Sequence, residues 1–210
     1  MNRPVPPSDA PILERAQSPV LTVIKGAALA IALALCAVVG LRLAAVVPVP
    51  SSWPFAAAGL LLGYLAADLF SGTVHWFCDT FFAEKTPLIG RTLITPFRDH
   101  HRHPEAITGY RLLEQDTSSA FIVIAPLWIA WRHGGPDPAA PLAVVAYAAL
   151  LSFGVGALGT NLFHKWAHTE HVPRLVGWLQ RRRLILSPGA HAVHHRSYTG
   201  GFCVTSGWLN

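Results

Sequence analysis

Histidine is the residue type in this chain with the spacing to do chemistry, and it comes in four short groups. The densest is His191-Ala192-Val193-His194-His195, where His191 lies one helical turn from both His194 and His195. Either pairing makes a chelate, and the segment alone can supply three imidazoles. His164 and His168 stand at i, i+4, with His171 three further on and Pro173 close behind it. In Phe97-Arg98-Asp99-His100-His101-Arg102-His103-Pro104, the neighbours His100 and His101 diverge on a helix. They serve two metal ions, or one acts as ligand and the other as support. His103, immediately before Pro104, leaves any helix and is a poor candidate. The fourth group is His75 with Asp79, and Asp68 lies seven residues earlier on the same helical face. A carboxylate inside an apolar run needs a partner, so Asp68 is expected behind the ligands, accepting an imidazole N–H and fixing its tautomer. Asn161 is expected nearby, as a weak oxygen ligand or a cap on polar backbone.

These donors exceed a structural zinc site, which is complete with four ligands and often uses cysteine. His75, Asp79, His100, His101, His164, His168, His191, His194 and His195 suit two ions, each of five or six coordination with a position left open. Imidazole with carboxylate suits iron, in a set far poorer in carboxylates than soluble di-iron bundles. Cys36, Cys78 and Cys203 show no CxxC spacing, and HExxH is absent, which argues against a zinc ribbon and against zinc proteolysis. Gly154-Val155-Gly156-Ala157-Leu158-Gly159 matches a dinucleotide-binding pattern but lies in an apolar run. Close helix packing in lipid explains it better.

The elements that must position these residues are apolar. Of 210 residues, 52% are hydrophobic and 13% charged. The apolar residues fall in blocks long enough to cross about 30 Å of hydrocarbon. Four crossings are expected, at about 21–47, 53–75, 117–132 and 139–163, the third weak because it is short and contains Pro126. Residues 48–52 and 133–138 read as tight turns. The first run starts too late and is too long for a cleaved signal peptide, and the proline-containing leader 1–19 has little to bury. The fold class is therefore all-α, a multi-pass transmembrane bundle (20–210) with a cytoplasmic, histidine-rich di-metal cap. With the N-terminus cytoplasmic, every Lys and Arg except Arg42 and Arg132 falls on the cytoplasmic side, including Arg3, Arg15 and Arg111. Of the eleven histidines only His133 falls elsewhere. Arg181, Arg182 and Arg183 then face anionic headgroups or simply enforce topology. The formal charge of +5 needs no nucleic acid to explain it.

A longer series of motifs surrounds these ligands. It comprises Ala67-Asp68-Leu69, Ser71-Gly72, His75-Trp76 and Asp79-Thr80, then Pro96-Phe97-Arg98-Asp99-His100-His101, Pro104 and Ala106-Ile107-Thr108. Thr160-Asn161, His164-Lys165-Trp166, His168-Thr169, His191-x-x-His194-His195, Phe202-Cys203 and Gly207-Trp208-Leu209-Asn210 follow. In this order, from about Tyr64 to the C-terminus, the chain resembles the plasmanylethanolamine desaturase family, also called the Kua or lipid-desaturase domain. The resemblance implies a membrane di-iron enzyme that uses O₂ and two electrons to turn –CH₂–CH₂– into –CH=CH–. Family substrates are alkyl-ether phospholipids, giving the vinyl ether of plasmalogens, whereas plant relatives act on an acyl chain of phosphatidylglycerol. It also implies that the nine donors above hold the metal, that His103 and His171 do not, and that relatives continue past Trp208-Leu209-Asn210. Electrons are expected from a cytoplasmic donor such as a ferredoxin or a cytochrome b5-type protein. Arg98, Arg102 and Lys165 are candidates for phosphate contact or packing charges. A lipid hydroxylase would use the same metals and differ in product mass. A histidine-rich metal transporter would need a polar path through the bilayer, for which Asp68 alone is a poor start.

Overall fold

Residues 19–109 and 117–210 are described by a computed structural model, and among them there is helix, turn and loop but no strand. The leader and the segment holding Arg111 lie outside the described residues. Helix α1 is Pro19–Val46, α2 Trp53–Thr80, α3 Thr95–Arg102, α4 Thr117–Arg132, α5 Pro141–His168, α6 Arg174–Arg181 and α7 Pro188–Ser197. A π-helical turn at Gly90–Ile94 leads into α3, and a 3-10 turn at Pro104–Gly109 leaves it.

Helices α1, α2 and α5 have 28 residues each and are long and apolar enough to cross a membrane. At about 1.5 Å per residue each spans roughly 42 Å, well over the hydrocarbon thickness. Helix α4 has 16 residues with Pro126 inside it, about 24 Å at 1.5 Å per residue and so short of that thickness. Leu33, Leu41, Leu62, Trp128, Leu142 and Val155 stand exposed on these four helices, a belt suited to lipid rather than water. Helices α2 and α5 continue beyond the expected crossings, 53–75 and 139–163, to Thr80 and His168, as the i, i+4 reading of their donors requires. The apolar run stops there, but nothing breaks the backbone ladder until Phe81 and Thr169 turn extended. His75, Asp79, His164 and His168 therefore ride on rigid helix.

Parallel packing of α2 and α5 brings their C-terminal ends together. The contact is set by small residues, because apolar side chains gain little from leaving lipid for one another. A Cβ on Gly59 would collide with the backbone of Val145, and one on Gly63 with the backbone of Ala149. Of the glycines singled out in the sequence, Gly156 lies against Ala67 and Tyr64 of α2, and Gly154 against Leu127 of α4. Helix α1 lies beside α4 and α5, and the core runs in two blocks along the bundle. One holds Val39, Leu43, Ala130 and Tyr147, and the other Ala32, Ala67, Val123 and Ala157. The two tight connections meet at the end away from the nine expected donors, where buried Ser52 donates to the Pro138 carbonyl at 3.3 Å and Arg42 to the Trp131 carbonyl.

Gly63→Val should force α2 and α5 apart, since the obstacle is backbone and cannot rotate away. Thermal unfolding in detergent should show a midpoint lower by roughly 5 °C or more, from about 1–3 kcal/mol of overpacking. Gly26→Ala, where a Cβ meets nothing within 4 Å, should leave the midpoint in place. Equal midpoints for the two variants would contradict this packing.

Candidate metal centre

Four helices deliver the donors to one end of the bundle. Helix α2 carries His75 and Asp79 one turn apart, and α5 carries His164 and His168 at the same spacing. Helix α3 brings His100 and His101 on a segment braced by Arg98 Nη2, which donates to the Phe82 carbonyl at 2.6 Å, and by the Arg102–Glu84 ion pair. Helix α7 brings His191, His194 and His195. It starts at Pro188 behind the cap Ser187, whose hydroxyl accepts from Ala190 N–H at 3.3 Å, and it is anchored through buried Leu186, which packs with Ala167 and Val204.

The nine expected donors form two groups. His100, His164, His168, His191 and His195 make one, and His75, Asp79, His101 and His194 the other, with the donor atoms of each within 4.8 Å of one another. Neighbours in sequence are split between them. His100 and His195 go to the first group while His101 and His194 go to the second, as the roughly 100° between successive helical side chains requires. His103 caps α3 with a non-helical backbone, its N–H bonded to the Asp99 carbonyl. It belongs to neither group, and nor does His171.

Within the first group His164 Nε2 faces His191 Nε2 at 2.8 Å, His191 faces His195 at 2.9 Å, and His195 faces His100 at 3.1 Å. Within the second, His75, His101 and His194 present Nε2 to Asp79 Oδ2 at 3.2, 3.4 and 3.6 Å. His101 and His194 face each other at 3.0 Å. The tautomers show what this arrangement suits. His75 Nδ1 donates to the Phe202 carbonyl at 3.1 Å and His194 Nδ1 to the Gly200 carbonyl at 2.8 Å. A carbonyl only accepts, so both Nδ1 atoms carry the proton, and a neutral ring then has a bare lone pair at Nε2. Two lone pairs and a carboxylate oxygen thus converge. The 3.2 Å approach of His75 to Asp79 has no hydrogen-bond alignment, and His75 Nε2, both Asp79 oxygens and His168 Nε2 are buried without a hydrogen-bond partner. Such an assembly is repulsive by itself and attractive around a cation. Ring nitrogens about 2.1 Å from a shared ion stand about 3 Å apart, which matches the spacings here.

Protonation would defeat that role, and the site opposes it. Burial, then the neighbouring imidazoles, hold His100 at about 2. Burial outweighs the pull of Asp79 to hold His101 at about 4, and burial with His194 and His75 holds His195 at about 4. Burial also lowers His191 and His194. These five rings are held toward the neutral form, the one that binds metal.

Residues 64–210 match the family of the lipid desaturase domain. The chain belongs to that family. It is 36% identical over 203 residues to the plasmanylethanolamine desaturase of Myxococcus xanthus, covering 96% of this chain and 70% of that protein. Identity to plasmanylethanolamine desaturase 1 of Mus musculus is 34% over 162 residues, covering 75% of this chain and 59% of the mouse protein. With the chloroplastic fatty acid desaturase 4 of Arabidopsis thaliana it is 35% over 155 residues, covering 70% of this chain and 45% of the plant protein. The chain thus spans only part of the mouse and plant relatives. No solved structure matches it.

In this desaturase domain Asp68 does not hold an imidazole, contrary to expectation. It is fully buried, and its Oδ1 accepts from the backbone N–H groups of Thr205, Ser206 and Gly207 at 3.2, 2.7 and 3.0 Å while Oδ2 accepts from Leu209 at 3.2 Å. The carboxylate fixes the segment after α7, and that segment offers the two carbonyls to His75 and His194. Tyr198 (φ 55°) and Gly201 (φ 74°) turn the chain back over α7. A Cβ at Gly201 would press on His194 at 3.3 Å, so both φ and space call for glycine there. Asn161 Nδ2 donates to Ser119 Oγ at 3.1 Å, tying α5 to α4. The roles of the Gly200 and Phe202 carbonyls do not show in the sequence, where Phe202 stands out only as part of a motif, because a backbone carbonyl has no residue signature. The sequence reading also missed Tyr198, whose ring stacks on His101 at 4.8 Å.

Proposed function

We propose that this membrane lipid desaturase forms the vinyl ether of plasmalogens from an alkyl-ether phospholipid. In this reading the five-histidine group holds one iron, and His75, Asp79, His101 and His194 hold the other. The observation that carries it is the pair of lone-pair-bearing clusters at the end of apolar helices, in a chain whose relatives at 36% and 34% identity are named plasmanylethanolamine desaturases. Bound iron would supply what no side chain here can, the activation of O₂ with two electrons from an external donor such as a ferredoxin or cytochrome b5-type protein and two protons from solvent, so that –CH₂–CH₂– becomes –CH=CH– and two waters form.

The chain's own residues supply orientation and dryness. Phe202 and Gly200 hold the Nδ1 protons of His75 and His194 outward, so that both Nε2 atoms point inward. Phe97 packs against His75 at 5.3 Å and helps keep water out. The membrane domain is residues 20–210 with its leader, N-terminus and metal end cytoplasmic, since that arrangement keeps nearly all Lys and Arg inside.

A second reading, desaturation of a phospholipid acyl chain, is favoured by the 35% identity to the plant fatty acid desaturase. Lipid mass spectrometry with an acid-lability test separates the two, in a host expressing the chain against a His194→Ala control. Acid-labile lipids formed only with the wild type are expected. A new acid-stable acyl double bond would support the second reading, and products heavier by one oxygen would point to hydroxylation instead.

A further inference from the structure

Beside the second group of donors, α2 and the segment after α7 border an open groove of about 290 Å³. Leu69, Thr73 and Trp76 form one wall and Phe202, Cys203 and Leu209 the other. The α2 wall runs about 10 Å along the helix.

The surroundings, the lining and the neighbours of this groove all bear on what it takes. Leu69 and Trp76 are 57% and 44% exposed on a helix long and apolar enough to cross a membrane, so the mouth opens toward hydrocarbon. Two of the polar side chains of the lining are already engaged. Thr73 Oγ1 donates to the Leu69 carbonyl at 2.8 Å, and the Asn210 amide bonds both the N–H and the carbonyl of Cys203, at 2.7 and 3.0 Å. With these engaged and Leu69, Phe202 and Leu209 making up much of the walls, an apolar ligand gives up little by entering. Finally, the Phe202 ring lies 5.7 Å from the ring of His75 and 5.1 Å from that of His194, so one side chain separates the groove from the donors.

We infer that the groove receives a hydrocarbon chain of the membrane lipid, laid along α2 from Leu69 toward Trp76, with Phe202 closing its inner end. This rests on the desaturase reading and adds where the substrate lies. Depth along α2 then sets which carbons come nearest the histidines.

Photo-crosslinking tests the inference without turnover. The iron-loaded chain in phosphatidylethanolamine vesicles is irradiated with a trace of ether phospholipid carrying a diazirine midway along its alkyl chain, and labelled peptides are mapped. Label should concentrate on residues 69–76 and 202–209. Thr73→Phe, which fills the groove, should lower that label about five-fold or more, while Thr73→Val, of similar volume, labels as the wild type and both keep their iron. Leu41→Phe, on the exposed face of α1, should change nothing. Label spread evenly over α1, α2 and α5, or undiminished in Thr73→Phe, overturns the groove. A chain labelled in the groove that makes no unsaturated lipid retains this inference and sinks the desaturase reading, and unsaturated product without groove labelling does the reverse.

Discussion

His191→Ala is expected to abolish activity and remove the ion from the five-histidine group. His191 is 1% exposed, and its Nε2 approaches those of both His164 and His195, at 2.8 and 2.9 Å. Its loss takes out the donor between two others and leaves neutral imidazoles facing a gap. Altering even a residue behind a metal ligand costs about 10–100-fold in affinity or activity, so removing this donor should cost at least about 100-fold. Elemental analysis of the purified chain, paired with product lipid analysis, checks it. His103→Ala and His171→Ala, outside both groups, should keep iron and activity near wild type. Full iron content in His191→Ala would falsify the proposed grouping.

Asp68→Ala should be nearly as damaging although Asp68 touches no expected ligand. Each of the four N–H groups it accepts gains about 1.5–3 kcal/mol from a charged partner, and a buried N–H left alone costs about 1–3 kcal/mol. The chain escapes that cost by releasing residues 200–209 from α2. The carbonyls of Gly200 and Phe202 then leave His194 and His75, whose rings lose their fixed orientation, and metal affinity should fall by about 10–100-fold. Hydrogen exchange over residues 203–209 distinguishes this route. Amides there should exchange rapidly in Asp68→Ala and stay protected in His191→Ala, where metal is lost for another reason. Asp68→Asn should be impaired too, since it loses the charge and introduces donors among donors. Slow exchange together with normal iron binding in Asp68→Ala would show that the carboxylate does not act through this segment.

The contrast between these two variants tracks what was legible in the sequence. His164 and His168 at i, i+4, His75 and Asp79 at the same spacing, and the run around His191 state their geometry locally, because a helical ladder fixes the direction of residues one turn apart. The apolar runs likewise announced spans ending near these donors. Helices α2 and α5 outrun the expected crossings by a few residues, since hydropathy marks where lipid stops and not where backbone hydrogen bonding stops. Asp68 was correctly read as a buried carboxylate in need of a partner, yet that partner lies more than a hundred residues away.

By itself the sequence determined the kind of donor, the family, the all-helical frame and the gathering of ligands at one end of it. All of these follow from side-chain chemistry and from periods of a few residues. Only the tertiary structure decided how nine donors divide into two groups, which carbonyls set the tautomers of His75 and His194, and what Asp68 holds. Those depend on the register between α3 and α7 and on the path of the segment after α7. Backbone N–H and C=O groups form its contacts, they are the same in nearly every residue, and so nothing in the residue types reveals where they meet.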